Sequence, residues 1–130
     1  MYLLDTNTLI YFFKGEGQVA KHLFALSPSQ IAIPSIVIYE LEVGIAKSTS
    51  PQKRKEQLNS LIQNVTIIPF DLKEAHSSAN IRANLERSGN PIGPIDTLIA
   101  GCALAHNHTL VTRNLKEFEK VKGLKTENWF

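Results

Sequence analysis

The sequence predicts an α/β fold, a three-layer α/β/α sandwich around a central parallel sheet of four or five strands. Two observations lead to this prediction. Short apolar or β-branched segments alternate with helical segments along the whole chain, and polar residues follow most of the apolar segments directly. Such alternation is typical of parallel strands joined by right-handed helical crossovers. At 130 residues the chain is long enough to bury its own core, so we expect residues 1–130 to form one domain.

The first half of the chain contains two predicted strands and three predicted helices. Gly15 is expected to end the first helix, the Ser27-Pro28 turn to close the second, and Ser35 to act as the N-cap of the third. In order, the elements are strand Tyr2–Leu4, helix Asn7–Lys14, helix Val19–Leu26, strand Ile31–Ile33 and helix Ile36–Ala46.

The second half continues the alternation and contains the clearest loop, residues 88–94, which is dense in turn-forming residues. The helix after this loop is apolar on nearly every face and is therefore expected to be buried. In order, the elements are helix Gln52–Gln63, strand Val65–Ile68, helix Asp71–Arg87, helix Ile95–Ala105, strand Thr109–Thr112, helix Leu115–Lys120 and a possible edge strand, Leu124–Thr126.

Composition indicates a protein of the cytoplasm. The chain is 43% hydrophobic and 20% charged, and it has a single cysteine, Cys102, which excludes an intramolecular disulfide and a cysteine-based zinc site. No signal peptide is evident, and no apolar stretch approaches the ~20 residues of a transmembrane helix.

The charge balance favours no particular partner. A formal net charge of +2 permits binding to a polyanion but does not indicate it. The run Lys53-Arg54-Lys55 is interpreted as the solvated first turns of a helix rather than as a nucleic-acid stripe.

Asp5 and Asp96 are the most informative polar residues. Asp5 directly follows the first strand, and Asp96 is the only charge in the apolar helix Ile95–Ala105. Each can be explained locally, Asp5 as a helix N-cap and Asp96 as a carboxylate favoured by the helix dipole. In a parallel sheet, however, both would lie at the edge formed by the carboxyl ends of the strands, where ligands bind in open α/β folds.

Glu40 and Glu42 lie inside an apolar helix, where an unpaired carboxylate is costly. Both are surrounded by hydrophobic residues at helical spacing, so periodicity does not show which one is functional. Asn114 follows the last clear strand, and with Glu117 three residues later it is best explained as the start of a capping box. That position would still place Asn114 at the same edge of the sheet.

Acidic residues brought together at one edge would repel one another unless a cation neutralised them. Oxygen ligands without Cys or His favour Mg²⁺ or Mn²⁺ over zinc. Either ion can polarise a phosphoryl oxygen and lower the pKa of bound water, so that hydroxide attacks in line. The residues therefore predict metal-dependent hydrolysis of phosphodiester bonds.

The order of these motifs resembles PIN-domain ribonucleases, and especially the VapC toxins of bacterial toxin–antitoxin pairs. The resemblance covers nearly the whole chain, through residues 2–8, 35–44, 94–100 and 110–114 and the ending Glu127-Asn128-Trp129. It implies a PIN-like domain over residues 1–130 in which Asp5, Glu40 and Asp96 are catalytic and bind the metal, so it selects Glu40 over Glu42. Asn114 stands where the family often has a further Asp.

The resemblance also implies further roles and partners. Thr6, Asn7, Thr112 and Asn114 would orient the metal ligands or the phosphate, and Arg82 and Arg113 could bind RNA. The expected activity is that of a Mg²⁺- or Mn²⁺-dependent endoribonuclease toxin acting on a structured RNA, commonly a tRNA or rRNA. The expected partners are a VapB-like antitoxin and a second copy of the chain, forming a homodimer within a larger complex.

Two alternatives stay open on the sequence alone. A haloacid dehalogenase-type phosphatase has an Asp-x-Asp-x-Thr-like motif, which Asp5-Thr6-Asn7-Thr8 approaches, but Asn7 replaces the second Asp. A PIN-like module that binds RNA or protein without cleaving is the other alternative, because Asn114 replaces an acid.

Overall fold

The computed structural model describes residues 1–130 and contains a parallel five-stranded sheet with the order β3-β2-β1-β4-β5. Helices accompany the sheet, so the predicted α/β class with a central parallel sheet is confirmed. The strands are β1 (Tyr2–Leu4), β2 (Ile31–Pro34), β3 (Thr66–Ile68), β4 (Thr109–Val111) and β5 (Thr126–Glu127).

Seven α-helices connect or follow the strands, and none is long and apolar enough to cross a membrane. They lie close to the predicted segments. The helices are α1 (Thr6–Lys14), α2 (Val19–Phe24), α3 (Ser35–Lys47), α4 (Gln52–Ile62), α5 (Leu72–Arg87), α6 (Pro94–Ala105) and α7 (Leu115–Phe118).

The strand order places a topological switch point beside β1. From β1 the chain proceeds outward on one side to β2 and β3, and then returns to the other side to form β4 and β5. Leu3 of β1 is in register with Ala32 of β2 and Leu110 of β4. Ligands of open α/β sheets bind at the carboxyl end of the strands at such a point, and Asp5 follows β1 there.

The core lies on both faces of the sheet. Leu3, Leu4, Ile33, Leu110 and Val111 have no exposed surface, as expected for strands covered by helices on both sides. The apolar helix α6 is buried as predicted, and it packs closely against α5 at Gly101. A Cβ at Gly101 would lie 1.8 Å from the Ser78 hydroxyl oxygen, so the crossing requires glycine. This packing fixes the position of α6 and of its first turn.

Most element ends differ from the predictions by one or two residues. The second helix ends at Phe24 instead of Leu26, and a separate 3-10 turn, Pro28–Gln30, follows it. Ser35 lies in the first turn of α3, and the N-cap is Pro34, which makes no side-chain hydrogen bond. The last strand is Thr126–Glu127 rather than Leu124–Thr126, since these residues pair with Leu110 and Val111 of β4.

Candidate active site

Asp5 connects β1 to α1 and is held rigidly at the edge of the sheet. Its Oδ1 accepts a hydrogen bond of 2.9 Å from the Thr8 backbone N–H, so the residue is the N-cap of α1. The Asp5 N–H and the Thr8 hydroxyl both donate to the Val111 carbonyl, at 3.2 Å and 3.1 Å. These bonds tie the carboxylate to both β1 and β4. Asp5 therefore caps α1 and also lies at the edge of the sheet where ligands bind.

The Asp5 carboxylate is buried, and burial raises its pKa above the usual range of an aspartate. The Thr8 and Thr112 hydroxyls and the Thr8 N–H act in the opposite direction and offset part of this rise. Thr112 is itself fully buried, and its Oγ1 accepts the Asn114 N–H at 3.0 Å. The buried Thr112 hydroxyl thus helps to stabilise the ionised carboxylate of Asp5.

Glu40 and Glu42 lie in clearly different environments on α3. Glu40 is half-buried, and the Thr6 hydroxyl donates to its Oε1 at 2.5 Å. Glu42 is exposed and makes no hydrogen bond with another side chain. The bond from Thr6, the residue next to Asp5, brings Glu40 to the same edge of the sheet as Asp5.

Asp96 lies in the first turn of α6 and has the most strongly perturbed carboxyl of the site. Burial raises its pKa, and the negative charges of Glu117, Asp5 and Glu40 raise it further, to about 6. This coupling shows that the four carboxylates share one region, although they belong to four separate segments of the chain.

Glu117 was not among the predicted site residues. Its Oε1 accepts the Gly93 N–H at 3.0 Å, and its Oε2 accepts an Asn114 side-chain N–H at 3.3 Å. The predicted capping box at Asn114 is wrong, because the Asn114 side chain makes no cap hydrogen bond and instead donates to Glu117. The signal that could have identified Glu117 is the one that identified Asp5, a carboxylate in the first turn after a parallel strand.

The other predicted polar residues are distributed around this cluster. Asn7 is exposed in the first turn of α1. Arg113 follows Thr112, and its guanidinium lies 3.6 Å from the ring centroid of Phe130. Arg82 is exposed on α5 and forms an ion pair of 2.8 Å with Glu86. Arg82 thus has a carboxylate partner of its own on the same helix.

The four carboxylates do not form a closed cage of metal ligands. No group of three or more His, Cys, Asp or Glu side chains is arranged to hold one ion directly. A cation that binds one or two carboxylates and keeps several water molecules, as Mg²⁺ usually does, needs no such cage.

An apolar cavity of about 720 Å³ lies elsewhere, between α1, α2 and α4. Its lining is mainly apolar and includes Phe12, Leu23 and Phe24, and 77% of Phe24 is exposed. A cavity of this character suits an apolar side chain of a partner rather than hydrolytic chemistry.

The family profile of the PIN domain matches residues 2–124. The chain belongs to the PIN-domain family. Among its relatives, this PIN domain is 36% identical to the tRNA(fMet)-specific endonuclease VapC of Salmonella typhimurium over 98% of this chain and 97% of that protein. It is 38% identical to ribonuclease VapC2 of Rickettsia felis, over 99% and 98% of the two chains.

Two solved structures of relatives have nearly the same fold as this PIN domain. The DNA-bound VapBC complex of Salmonella typhimurium contains a chain that matches with a TM-score of 0.92 at 36% identity, covering 99% of this chain and 98% of that one. VapBC2 of Rickettsia felis, bound to a DNA fragment of its promoter, matches with a TM-score of 0.90 at 36% identity over the same shares.

Proposed function

We propose that this chain is the ribonuclease toxin of a VapBC-type toxin–antitoxin pair. It would hydrolyse phosphodiester bonds of a structured RNA with the carboxylates of Asp5, Glu40, Asp96 and Glu117. One observation carries the proposal: Asp5, Glu40 and Glu117, from three separate segments, place their carboxylates around Asp96, where burial first and then these charges raise the pKa of Asp96 to about 6. Like charges held together at the switch point of a parallel sheet destabilise the fold, and such a cost is typical of a functional site.

The chemistry of the four acidic side chains favours the binding of a hard divalent cation. All four side chains present carboxylate oxygens, and neither His nor Cys belongs to the cluster. Asp5, Asp96 and Glu40 would hold Mg²⁺ or Mn²⁺, directly or through water, with Glu117 as a further acceptor. When bound, the cation would polarise a phosphoryl oxygen and lower the pKa of the attacking water.

The surrounding residues of the chain would orient the carboxylates. Thr6 fixes one oxygen of Glu40, and the Thr8 N–H fixes Oδ1 of Asp5. Glu117 is fixed by Gly93 and Asn114. Partners that orient acidic ligands commonly contribute 10–100-fold to metal affinity or activity, as an order of magnitude. The exposed amide of Asn7 is free to donate to a phosphate oxygen.

The proposed substrate is a tRNA or rRNA in the cytoplasm. One relative is named as specific for tRNA(fMet), and it aligns with 98% of this chain. We therefore take initiator tRNA as the first RNA to test and total rRNA as the second.

The proposed partners are a VapB-like antitoxin and a second copy of the chain. The antitoxin is proposed because the solved relatives are VapBC complexes. The apolar cavity beside Phe24 is a suitable surface for an antitoxin, because a large exposed aromatic ring beside an apolar groove is typical of protein interfaces. Phe24→Asp should then abolish co-purification with the antitoxin encoded beside the toxin, without reducing RNA cleavage.

The decisive experiment uses purified, antitoxin-free protein with Mg²⁺ or Mn²⁺ and maps new RNA 5′ ends in total tRNA and rRNA. We expect discrete cleavage sites, complete inhibition by EDTA, and a loss of about 10²-fold or more in Asp5→Asn. Asp71→Asn is the matched control, since Asp71 is also the N-cap of a helix but is exposed and lies outside the cluster.

The two alternatives give different results in the same experiment. RNA binding without cleavage by the metal-loaded protein would support the silent module, which Asn114 alone made plausible. Glu117 weakens this alternative, because it supplies a fourth carboxylate to the site. A phosphorylated Asp5 would support the phosphatase, but Asn7 is exposed and is not an acid, so the chain has no second Asp for that chemistry.

A further inference from the structure

A second cleft opens beside the candidate active site, between α1, α3 and the start of α4. Its volume is about 390 Å³. Its only carboxylate is Glu40, which is also coupled to Asp96, so the cleft adjoins the acidic cluster. Its polar lining consists of Lys14, Glu40, Ser48, Ser50, Lys53 and Arg54.

The cations of this cleft have no carboxylate partner. The ion pairs of the structure are Arg82 with Glu86 and His106 with Glu74, and neither involves the cleft. Three positive charges against the single negative charge of Glu40 leave two net positive charges. One Glu40 oxygen already accepts the Thr6 hydroxyl, so the cleft has an excess of unused donors.

Two of the three cations occupy positions that are unfavourable for their helix. Lys53 and Arg54 lie in the first turn of α4, which contains no acidic residue and no side-chain cap. Positive charges at a helix N-terminus oppose the helix dipole. Residues that break a local rule are expected at functional or strained sites.

Arg54 is also held in a fixed orientation. Its guanidinium lies 5.2 Å from the ring centroid of Phe13, and its Nη1 donates to Gln57 Oε1 at 2.6 Å. These contacts use the flat face and one N–H of the guanidinium and leave the other N–H groups available. A preorganised guanidinium of this kind suits the planar, bidentate recognition of a phosphate.

We propose that this cleft binds the phosphate backbone of the RNA substrate on one side of the scissile bond. Lys14, Lys53 and Arg54 would neutralise consecutive phosphates, and the Ser48 and Ser50 hydroxyls can donate to phosphate oxygens. The inference rests on the proposed function, because it places the RNA strand relative to the acidic cluster. These residues position the RNA and do not touch the scissile phosphate.

The test compares two double variants that lose the same net charge. Lys14→Gln with Lys53→Gln removes two cations from the cleft, whereas Lys21→Gln with Lys55→Gln removes two exposed cations that do not line it. Lys55 lies on the same helix as Lys53, and glutamine keeps most of the aliphatic stem. The probe is fluorescein-labelled unfractionated tRNA, titrated in EDTA at several salt concentrations so that no hydrolysis is required.

We expect the cleft variant to bind tRNA about tenfold more weakly and to reduce the salt slope of log K by about 1 for each lysine removed. In Mg²⁺ its KM for cleavage should rise with kcat within about twofold, as expected when uniform substrate binding is lost. The control variant should remain within about twofold of wild type throughout. Unchanged thermal unfolding excludes a folding defect.

Several results would overturn the inference. Equal losses in both double variants would mean diffuse attraction to the whole surface, and no loss in either would mean that RNA avoids the cleft. Loss of antitoxin affinity without loss of tRNA affinity would assign the cleft to an acidic protein segment. Wild-type protein that binds tRNA but never cleaves it would contradict the proposed function, while the binding comparison would still decide the role of the cleft.

Discussion

The carboxylates of Asp96 and Glu117 approach the same glycine from two different helices. A Cβ built on Gly93 would lie 3.8 Å from Asp96 Oδ2 and 4.0 Å from Glu117 Oε1, and the Gly93 N–H donates to Glu117. After burial, Glu117 is the largest cause of the raised pKa of Asp96. The pair therefore links the loop before α6 to the segment after β4, and it makes Glu117 the most informative residue to change.

Glu117→Gln should lower the pKa of Asp96 from about 6 toward the usual aspartate range, because it removes the strongest neighbouring charge. It should also reduce kcat/KM for RNA cleavage by about 10–100-fold, the usual cost of losing a residue that supports a metal site. Carboxyl NMR of Asp96 and cleavage kinetics measure the two effects. Glu119→Gln, an exposed neighbour, is the control and should change neither.

Asp96→Asn should stabilise the metal-free protein at pH 7.5. The folded pKa of about 6 lies above the ordinary aspartate value of 3.8, so the folded state binds the proton more tightly than the unfolded state. The destabilising effect of the carboxylate is therefore full above pH 6 and disappears as the pH falls toward 3.8. After allowance for partial exposure and for the lost dipole interaction, we expect a gain of about 1 kcal/mol, or about 4 °C in Tm.

The measurement is thermal unfolding in EDTA at pH 7.5 and pH 4. The stabilisation should be present at the higher pH and nearly absent at the lower one. Asp71→Asn, which changes an exposed helix cap, should give no such gain. A wild-type Tm that increased steadily from pH 4 to pH 7.5, with Asp96→Asn following it, would refute the like-charge explanation.

Divalent cations should raise the Tm of the wild-type protein in a pH-dependent way. Binding to the folded state alone stabilises it by RT ln(1 + [L]/Kd), and protons compete with the cation at Asp96. The Tm increase in 10 mM Mg²⁺ or Mn²⁺ should thus be largest above pH 7 and should fall steeply below about pH 6. Asp96→Asn should lose most of it, and a pH-independent shift in both proteins would place the cation elsewhere.

Glu40→Gln should reduce cleavage by about 10²-fold or more, whereas Glu42→Gln should cleave like wild type. Glu40 is half-buried and hydrogen-bonded at the edge of the sheet, but Glu42 is exposed. Thr6→Val removes the hydroxyl that fixes Glu40 and should give an intermediate loss of about tenfold, mainly in kcat. Single-turnover cleavage assays rank the three variants, and equal activity of the two glutamine variants would contradict the assignment of Glu40.

Much of this architecture could be predicted from local sequence because the signals are physical and strong. The buried strands are apolar, α6 is apolar on nearly every face, and Asp5 and Asp96 are isolated carboxylates at the start of helices. Parallel topology then requires that the carboxyl ends of the strands share one edge. Spacing alone did not show whether Glu40 or Glu42 is the functional acid, since both have apolar neighbours on α3. The family resemblance selected Glu40.

The contacts of Glu117 and the composition of the basic cleft both depend on residues that are distant in sequence. The role of Glu117 depends on a loop, residues 88–93, that brings the Gly93 N–H to its carboxylate from 24 residues away. The difference between Lys53 and Lys55 likewise depends on which side of α4 faces α1 and α3. Such long-range arrangements leave no local pattern, so the sequence alone does not distinguish Lys53 from Lys55.

Glu74 provides a contrast, a buried acid whose role is structural. It is 4% exposed, and it accepts the Asp71 N–H at 2.9 Å and contacts His106 Nε2 at 2.5 Å. Burial raises its pKa, but these hydrogen bonds outweigh burial and lower it overall. Its stabilising effect is therefore present above the ordinary glutamate pKa of 4.5 and is lost as the pH falls through the lower, folded value.

Glu74→Gln should destabilise the fold at pH 7 by about 1–3 kcal/mol, because His106 loses a charged acceptor within the packed contact between α5 and α6. The loss should shrink as the pH falls through the lowered folded pKa of Glu74, below which the group is protonated in both states. RNA cleavage at 25 °C should be unchanged, since Glu74 does not contribute to the perturbed pKa of Asp96. Urea unfolding and cleavage assays give the two results, with Glu86→Gln as the exposed ion-pair control. A variant of normal stability that cleaved poorly would instead require a coupling between this ion pair and the acidic cluster through α6.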